Sequence, residues 1–197
     1  MNRTVPRGFY LDPPDVVARR LLGKLLVRRY EGKRLTGRIV EVEAYFGLDD
    51  PAAHTFAGKT ERNAVLFGPP GVAYVYFIYG MHYCLNISCE PDGQAGGVLL
   101  RALEPVEGLA TMARLRGLER DANPRLLTSG PGRLCQALGV TRMTHNGVDV
   151  ASRRSELYVE DDGFAPGKTE ATPRIGIRKA AERPLRFSIA GNRFVSR

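Results

Sequence analysis

Apolar and polar positions alternate most cleanly along Arg38-Ile39-Val40-Glu41-Val42-Glu43-Ala44-Tyr45, the period of two expected of a β-strand. A strand from about Leu35 to Tyr45 sets Val40, Val42 and Ala44 on one face and Ile39, Glu41, Glu43 and Tyr45 on the other. Leu25-Leu26-Val27 reads as its partner, with Glu31-Gly32 as a hairpin turn. Val72 to Tyr79 and His82 to Cys89 read as a second pair about Gly80, and Val98–Leu103, Leu157–Val159 and Leu185–Ile189 as further strands. Asp12-Pro13-Pro14 ahead of Val16, Val17, Leu21 and Leu22 predicts a capped helix with proline in its first turn and Gly23 at its end. Leu109, Met112, Ala113 and Leu115 have helical spacing, and Pro131 to Leu138 suggests another helix. Residues 46–71 lack periodic apolar positions; so long an irregular stretch in a compact domain is usually functional or mobile. Many short strands, mostly linked by hairpins, with helices at the periphery predict an α+β class. The expected architecture is one domain over residues 1–197, built on a curved antiparallel sheet of open, barrel-like form.

Composition narrows the function classes. The 197 residues are 43% hydrophobic and 25% charged, ordinary globular values that exclude a predominantly disordered chain. No apolar run approaches the ~18–20 residues of a membrane span, and Met1 to Tyr10 lacks the apolar core of a secretory signal. Three cysteines, Cys84, Cys89 and Cys135, form neither an even framework nor a C-x-x-C pair, which fits a reducing, cytoplasmic setting. The formal net charge of +8 favours polyanionic partners. Basic residues gather at both ends: ten Lys and Arg within residues 1–38 and seven within 173–197. The fold either joins these ends into one basic face or leaves them as two solvated surfaces.

Candidate chemistry sits in three places. Glu41, Glu43 and Tyr45 share a strand face, which is either a solvated sheet surface or a cleft holding a general base beside a ring. Tyr74, Tyr76 and Tyr79 lie in one aromatic run; they are either core packing or stacking platforms, with Tyr79 at a hairpin tip. His54 follows Asp49 and Asp50 in the irregular stretch, where the aspartates serve a metal or cap a turn. The spacing matches no zinc pattern. Ser129-Gly130-Pro131-Gly132 resembles a helix start with amides suited to an anion but lacks the lysine of a phosphate loop. Pattern alone stops at a basic α+β domain with a carboxylate–aromatic site.

At these same residues the sequence resembles the alkyladenine (3-methylpurine) DNA glycosylase family. The resemblance is carried by Arg38 to Tyr45, Asp50-Pro51-Ala52-Ala53-His54, Arg62-Asn63, Tyr74 to Met81, Asn86-Ile87-Ser88 and Leu99 to Pro105. Ser129-Gly130-Pro131, Leu134 to Leu138, Arg174-Ile175-Gly176 and Pro184 to Phe187 continue it in order over nearly the whole chain. It implies a monofunctional glycosylase of base-excision repair. Such an enzyme flips alkylated or deaminated purines (3-methyladenine, 7-methylguanine, hypoxanthine, ethenoadenine) out of duplex DNA and hydrolyses the N-glycosidic bond. It implies Glu43 as the base that activates water, with Tyr45, His54, Tyr76 and Asn86 around the flipped base. Tyr79 would be the minor-groove wedge, and Met81, Arg62 and Arg101 would lie on the DNA side. His82 stands where other members carry a second aromatic. The expected partner is double-stranded DNA bearing a damaged purine, bound by a monomer without membrane, metal or small-molecule cofactor. Two rivals are a lesion-binding module with no need of Glu43, and a lyase needing an amine nucleophile, for which only Lys59 lies in the suspected loop.

Overall fold

The computed structural model describes residues 2–78 and 80–196. Among these the chain forms strands β1 (Arg3–Thr4), β2 (Leu25–Tyr30), β3 (Lys33–Tyr45), β4 (Ala73–Ile78), β5 (His82–Ser88), β6 (Gly97–Glu107), β7 (Leu157–Asp161), β8 (Thr169–Thr172) and β9 (Arg186–Ile189). The helices are short: α1 (Pro14–Leu21), α2 (Leu109–Leu115), α3 (Arg125–Thr128), α4 (Pro131–Ala137) and α5 (Arg142–His145). All the strands join one antiparallel sheet in the order β1-β7-β2-β3-β6-β5-β4, with the β8–β9 pair attached to β3. The result is the curved α+β architecture that the alternation predicts.

Strand β3 is the hub. Along one edge it pairs first with β2 over Lys33–Arg38 and then with β9 over Glu41–Glu43; along the other it pairs with β6. Its register with β6 slips after Thr36 and twice between Ile39 and Val42. Bulges of this kind bend a strand and increase its twist, which lets one edge serve two partners and curls the sheet. Gly37 is required at the first slip, because a Cβ there would stand 2.8 Å from Leu103 Cβ. The slips also break the predicted alternation: Ile39 and Val40 both lie in the apolar core, rather than Ile39 siding with the glutamates.

The β2–β3 turn is as the sequence predicts. Glu31 and Gly32 have φ of 48° and 72° and the pair Tyr30–Lys33 closes it, a two-residue turn whose twist matches the flanking strands. In α1, Val17, Ala18 and Leu21 are buried against β3 and β6. Asp12 does not cap this helix as predicted; its carboxylate pairs with Arg20 on the helix's last turn. Helices α2, α3 and α4 pack together, α4 against β5 and β6, α3 against β6 and α2 against β3. Elements without a sequence signal are β1, β8 and the single turns α3 and α5. Strand β8 reads Thr-Glu-Ala-Thr, which offers no apolar alternation, and it forms only because β9 supplies a pairing edge. No helix among the described residues is long and apolar enough to cross a membrane.

Candidate active site

A cavity of about 390 Å³ opens on one side of the sheet. Its walls come from elements far apart in sequence: Tyr45 from the end of β3, His54 from the irregular stretch, Tyr74 and Tyr76 from β4, Asn86 from β5, and Leu99 and Arg101 from β6. Pro131 and Gly132 at the start of α4 and Ile175, Gly176 and Ile177 close the ring. The cross-strand pairs Tyr74–Asn86 and Asn86–Leu99 place three of these side by side. The Asn86 amide donates to the Tyr74 carbonyl at 3.3 Å, which fixes its orientation in the wall.

The two glutamates of β3 are not on a solvated face. Glu41 and Glu43 have no exposed surface. Glu43 touches three residues of the cavity wall: Oε2 accepts from the Tyr45 hydroxyl at 2.9 Å, and Oε1 accepts from the Ile175 backbone N–H at 2.8 Å and faces Arg101 Nη1 at 3.1 Å. Glu41 shares Arg101 with Glu43 and is also held by Arg186 and Ser196. The solvated-face alternative is excluded: Glu43 is a buried carboxylate bonded to the Tyr45 ring hydroxyl, behind the cavity wall. Burial, followed by the charges of Glu43 and then Glu41, acts on Arg101; the carboxylates outweigh burial and hold the guanidinium above its ordinary value.

The wall is aromatic. His54 meets the Tyr76 ring edge-on at 4.4 Å between centroids, and the Tyr74 and Tyr76 rings lie 5.6 Å apart. His54 Nδ1 and the Tyr74 hydroxyl are hydrogen-bonded to each other at 3.1 Å. Desolvation against these rings, then the Arg62 charge, lowers the His54 pKa, so the imidazole is neutral near pH 7. Burial, then Glu43, raises Tyr45, and burial, then the Cys84 thiol, raises Tyr76; both phenols keep their protons as donors. Buried Arg174 backs the Tyr45 ring at 4.6 Å from its centroid and donates to the Ala44 carbonyl. Neutral rings around a concave site suit a flat, stacked ligand, and a donor-held carboxylate beneath them suits activation of a small nucleophile.

Tyr45, His54, Tyr76, Asn86 and Arg101 therefore meet in one wall, with Glu43 in contact with it. Arg62 stands outside the wall, exposed, 6.0 Å from the Tyr76 ring centroid. Met81, 71% exposed, projects from the β4–β5 turn. Tyr79 lies outside the described residues. His82 lines the cavity, its ring against Gly132, where an added Cβ would come within 3.0 Å. The basic ends do not act as a block: Arg174 and Arg186 are committed to internal carboxylates, and Arg28, Arg34 and Arg38 are paired with Glu156, Glu160 and Asp162. Sequence reading missed the pairing of Asp50 with Arg174 and the role of Ile175. Asp50 caps its own turn by accepting from the Ala52 N–H, as one of the two sequence readings has it, and it also accepts from the Phe46 N–H and both terminal nitrogens of Arg174. Ile175 acts through its backbone, which no side-chain pattern reveals.

The methylpurine-DNA glycosylase (MPG) family model matches residues 8–193. A provisionally named 3-methyladenine DNA glycosylase of Koribacter versatilis is 59% identical over 192 residues, covering 98% of this chain and 92% of the relative. Proteins given the same provisional name in Methanocella arvoryzae and Burkholderia cenocepacia are 51% and 50% identical; the alignments cover 93% and 98% of this chain and 90% of each relative.

Proposed function

The chain belongs to the methylpurine-DNA glycosylase family of N-glycosyl hydrolases, and from that premise we propose that it excises alkylated and deaminated purines from duplex DNA with Glu43 as the water-activating base. The observation that carries this reading is the buried Glu43 carboxylate, held by Tyr45, Ile175 and Arg101, three residues that line an aromatic cavity. The flipped purine enters between Tyr45 and Tyr76 with His54 at its edge. Water adds to C1′ of the sugar as the C1′–N bond breaks; its proton passes to Glu43 and the purine departs with the bonding electrons. The transition state carries positive charge on the sugar, so an adjacent carboxylate both takes the proton and stabilises that charge. A cationic alkylpurine is also attracted to the faces of the tyrosine rings. Asn86, pinned by its bond to the Tyr74 carbonyl, obstructs the exocyclic amino group of guanine and so disfavours the normal base. Exposed Arg62 and Met81, with Tyr79, serve the DNA side, the last as the wedge that fills the vacated stack. One subunit suffices for one flipped base, so the acting species is a monomer, working in the cytoplasm on nucleoid DNA.

The test is single-turnover excision on duplexes carrying one hypoxanthine, one ethenoadenine or one 3-methyladenine, in EDTA, with and without subsequent alkali. Strand cleavage only after alkali, with no adduct trapped by borohydride, is the expected result. Cleavage before alkali with a trapped adduct would establish a lyase instead, and lesion binding without cleavage of any substrate would establish a binding module. The stacking role of Tyr76 is checked separately. Tyr76→Ala is expected to weaken binding to hypoxanthine duplex by about 10- to 100-fold, the worth of one base–aromatic stack at ~1–3 kcal/mol, while affinity for undamaged duplex stays within about twofold. Equal losses on both duplexes would remove Tyr76 from base recognition.

A further inference from the structure

The role given to Glu43 leaves a second buried carboxylate on the same strand without a task. Glu41 Oε1 accepts from Arg101 Nε at 3.0 Å, Arg186 Nε at 2.6 Å and Ser196 Oγ at 2.9 Å, and Oε2 accepts from the Ser196 backbone N–H at 2.6 Å. Arg186 also donates to the Thr172 hydroxyl and the Ser196 carbonyl, which ties β8, β9 and the segment at 192–196 into one cluster. Arg101 reaches both carboxylates: Nε is on Glu41, Nη1 is 3.1 Å from Glu43 Oε1, and Nη2 donates to Ser196 Oγ at 3.4 Å. We propose that Glu41 is a positioning residue which, with Ser196, fixes the Arg101 guanidinium so that only one of its nitrogens reaches Glu43.

The inference rests on the reading of Glu43 as the base, and follows from guanidinium geometry. A guanidinium is a rigid planar fork that pairs with a carboxylate through two parallel N–H groups when free to turn. With Tyr45 donating to Oε2 and the Ile175 N–H to Oε1, such pairing would fill the remaining acceptor site on each oxygen of Glu43 and leave none for a water. Glu41 and Ser196 hold Nε and Nη2, which confines Arg101 to a single contact on Oε1, beside the Ile175 N–H. Oε2 then has Tyr45 as its protein donor and retains an acceptor site for water. Two glutamates and two arginines also balance charge in this cluster, so each guanidinium keeps a counter-ion where burial makes one necessary.

The test compares Glu41→Gln and Ser196→Ala with wild type in single-turnover excision of hypoxanthine at saturating enzyme. Affinity for the same duplex is measured with each change placed in a Glu43→Gln background, where substrate is not consumed. Glu41→Gln is expected to slow excision per binding-competent molecule by about 10- to 100-fold, the scale of small misplacements in a reacting constellation. Ser196→Ala keeps every charge and the backbone bond to Glu41, so it folds even where Glu41→Gln does not; it is expected to slow excision about threefold to tenfold. Affinity in the Glu43→Gln background is expected to stay within about twofold for both. Unchanged excision rates, or losses of affinity in proportion to rate, would overturn the proposal and make the cluster a purely structural one. Full activity in Glu43→Gln itself would instead overturn the reading of Glu43, and this inference with it. Loss in Glu43→Gln with no effect of Glu41→Gln or Ser196→Ala would overturn only the inference.

Discussion

Glu43→Gln is expected to lower the single-turnover excision rate by about 10³- to 10⁴-fold while leaving affinity for a lesion duplex within a few-fold of wild type. A general base is worth ~10²–10⁴, and loss of a charge beside a developing cation adds to that. Glutamine keeps the shape of the side chain. It loses the ability to take a proton, and one oxygen becomes an NH₂ group facing a donor, either the Tyr45 hydroxyl or the Ile175 N–H with Arg101. That mismatch destabilises the folded protein by about 1–3 kcal/mol, too little to explain a thousandfold loss of rate. Arg101 keeps Glu41 as a partner, so its charge is not left alone in the wall. The affinity measurement separates chemistry from binding, because the stacking rings of Tyr45 and Tyr76 are untouched. A rate within tenfold of wild type on hypoxanthine would remove Glu43 as the base; a parallel collapse of affinity would make it a folding residue.

How much of this site the sequence makes legible depends on what kind of contact builds each part. The strand face at 38–45 is readable because period-two alternation is local, and the turn at Glu31-Gly32 because Gly32 accepts a left-handed φ between two apolar runs. Pattern also places Tyr74 and Tyr76 on one face of β4, which the cavity bears out. It cannot distinguish Glu41 from Glu43. Both occupy the same face two residues apart, and what separates them is the arrival of Ile175 and Tyr45 at one and Arg186 and Ser196 at the other. Those partners lie more than 130 residues downstream in three of the four cases. Asp50 is half legible for a related reason: its cap on the Ala52 N–H is local and readable, while its ion-pair partner Arg174 lies 124 residues downstream. The period also fails at Ile39, where the β3–β6 bulge moves a residue without any change in composition.

Asp50→Asn is expected to destabilise the protein by about 3–5 kcal/mol at pH 7, the cost of breaking one side of a buried ion pair. For a chain of this size that is a fall in Tm on the order of 10 °C. Neither side chain of the Asp50–Arg174 pair has exposed surface. Asparagine can accept on one atom only, so in either orientation its NH₂ group opposes one Arg174 nitrogen and one backbone N–H, that of Phe46 or of Ala52, and the guanidinium is left without a carboxylate at contact distance. Burial by itself would raise the Asp50 pKa; the Arg174 hydrogen bonds, the Ala52 N–H, the Arg174 charge and the Phe46 N–H together outweigh it and hold it below the ordinary aspartate value. A carboxyl lowered on folding contributes stability that is complete above its unfolded pKa, about 3.9, and is lost as pH falls through the lower folded value. The stability gap between wild type and Asp50→Asn is therefore constant from pH 7 to about pH 5 and narrows below about pH 4, as wild type loses what the variant never had. Urea titrations at pH 7, 5, 4 and 3 read this directly; a gap under about 1 kcal/mol at pH 7, or one that widens on acidification, would contradict it. The same change reaches the site, because Arg174 backs the Tyr45 ring and precedes the residue whose N–H holds Glu43. Excision by the variant, measured well below its Tm, is expected to be slower than wild type even when every molecule is folded. Loosening the Arg174 anchor loosens two of the three contacts that fix the Glu43 carboxylate, the Tyr45 hydroxyl and the Ile175 N–H.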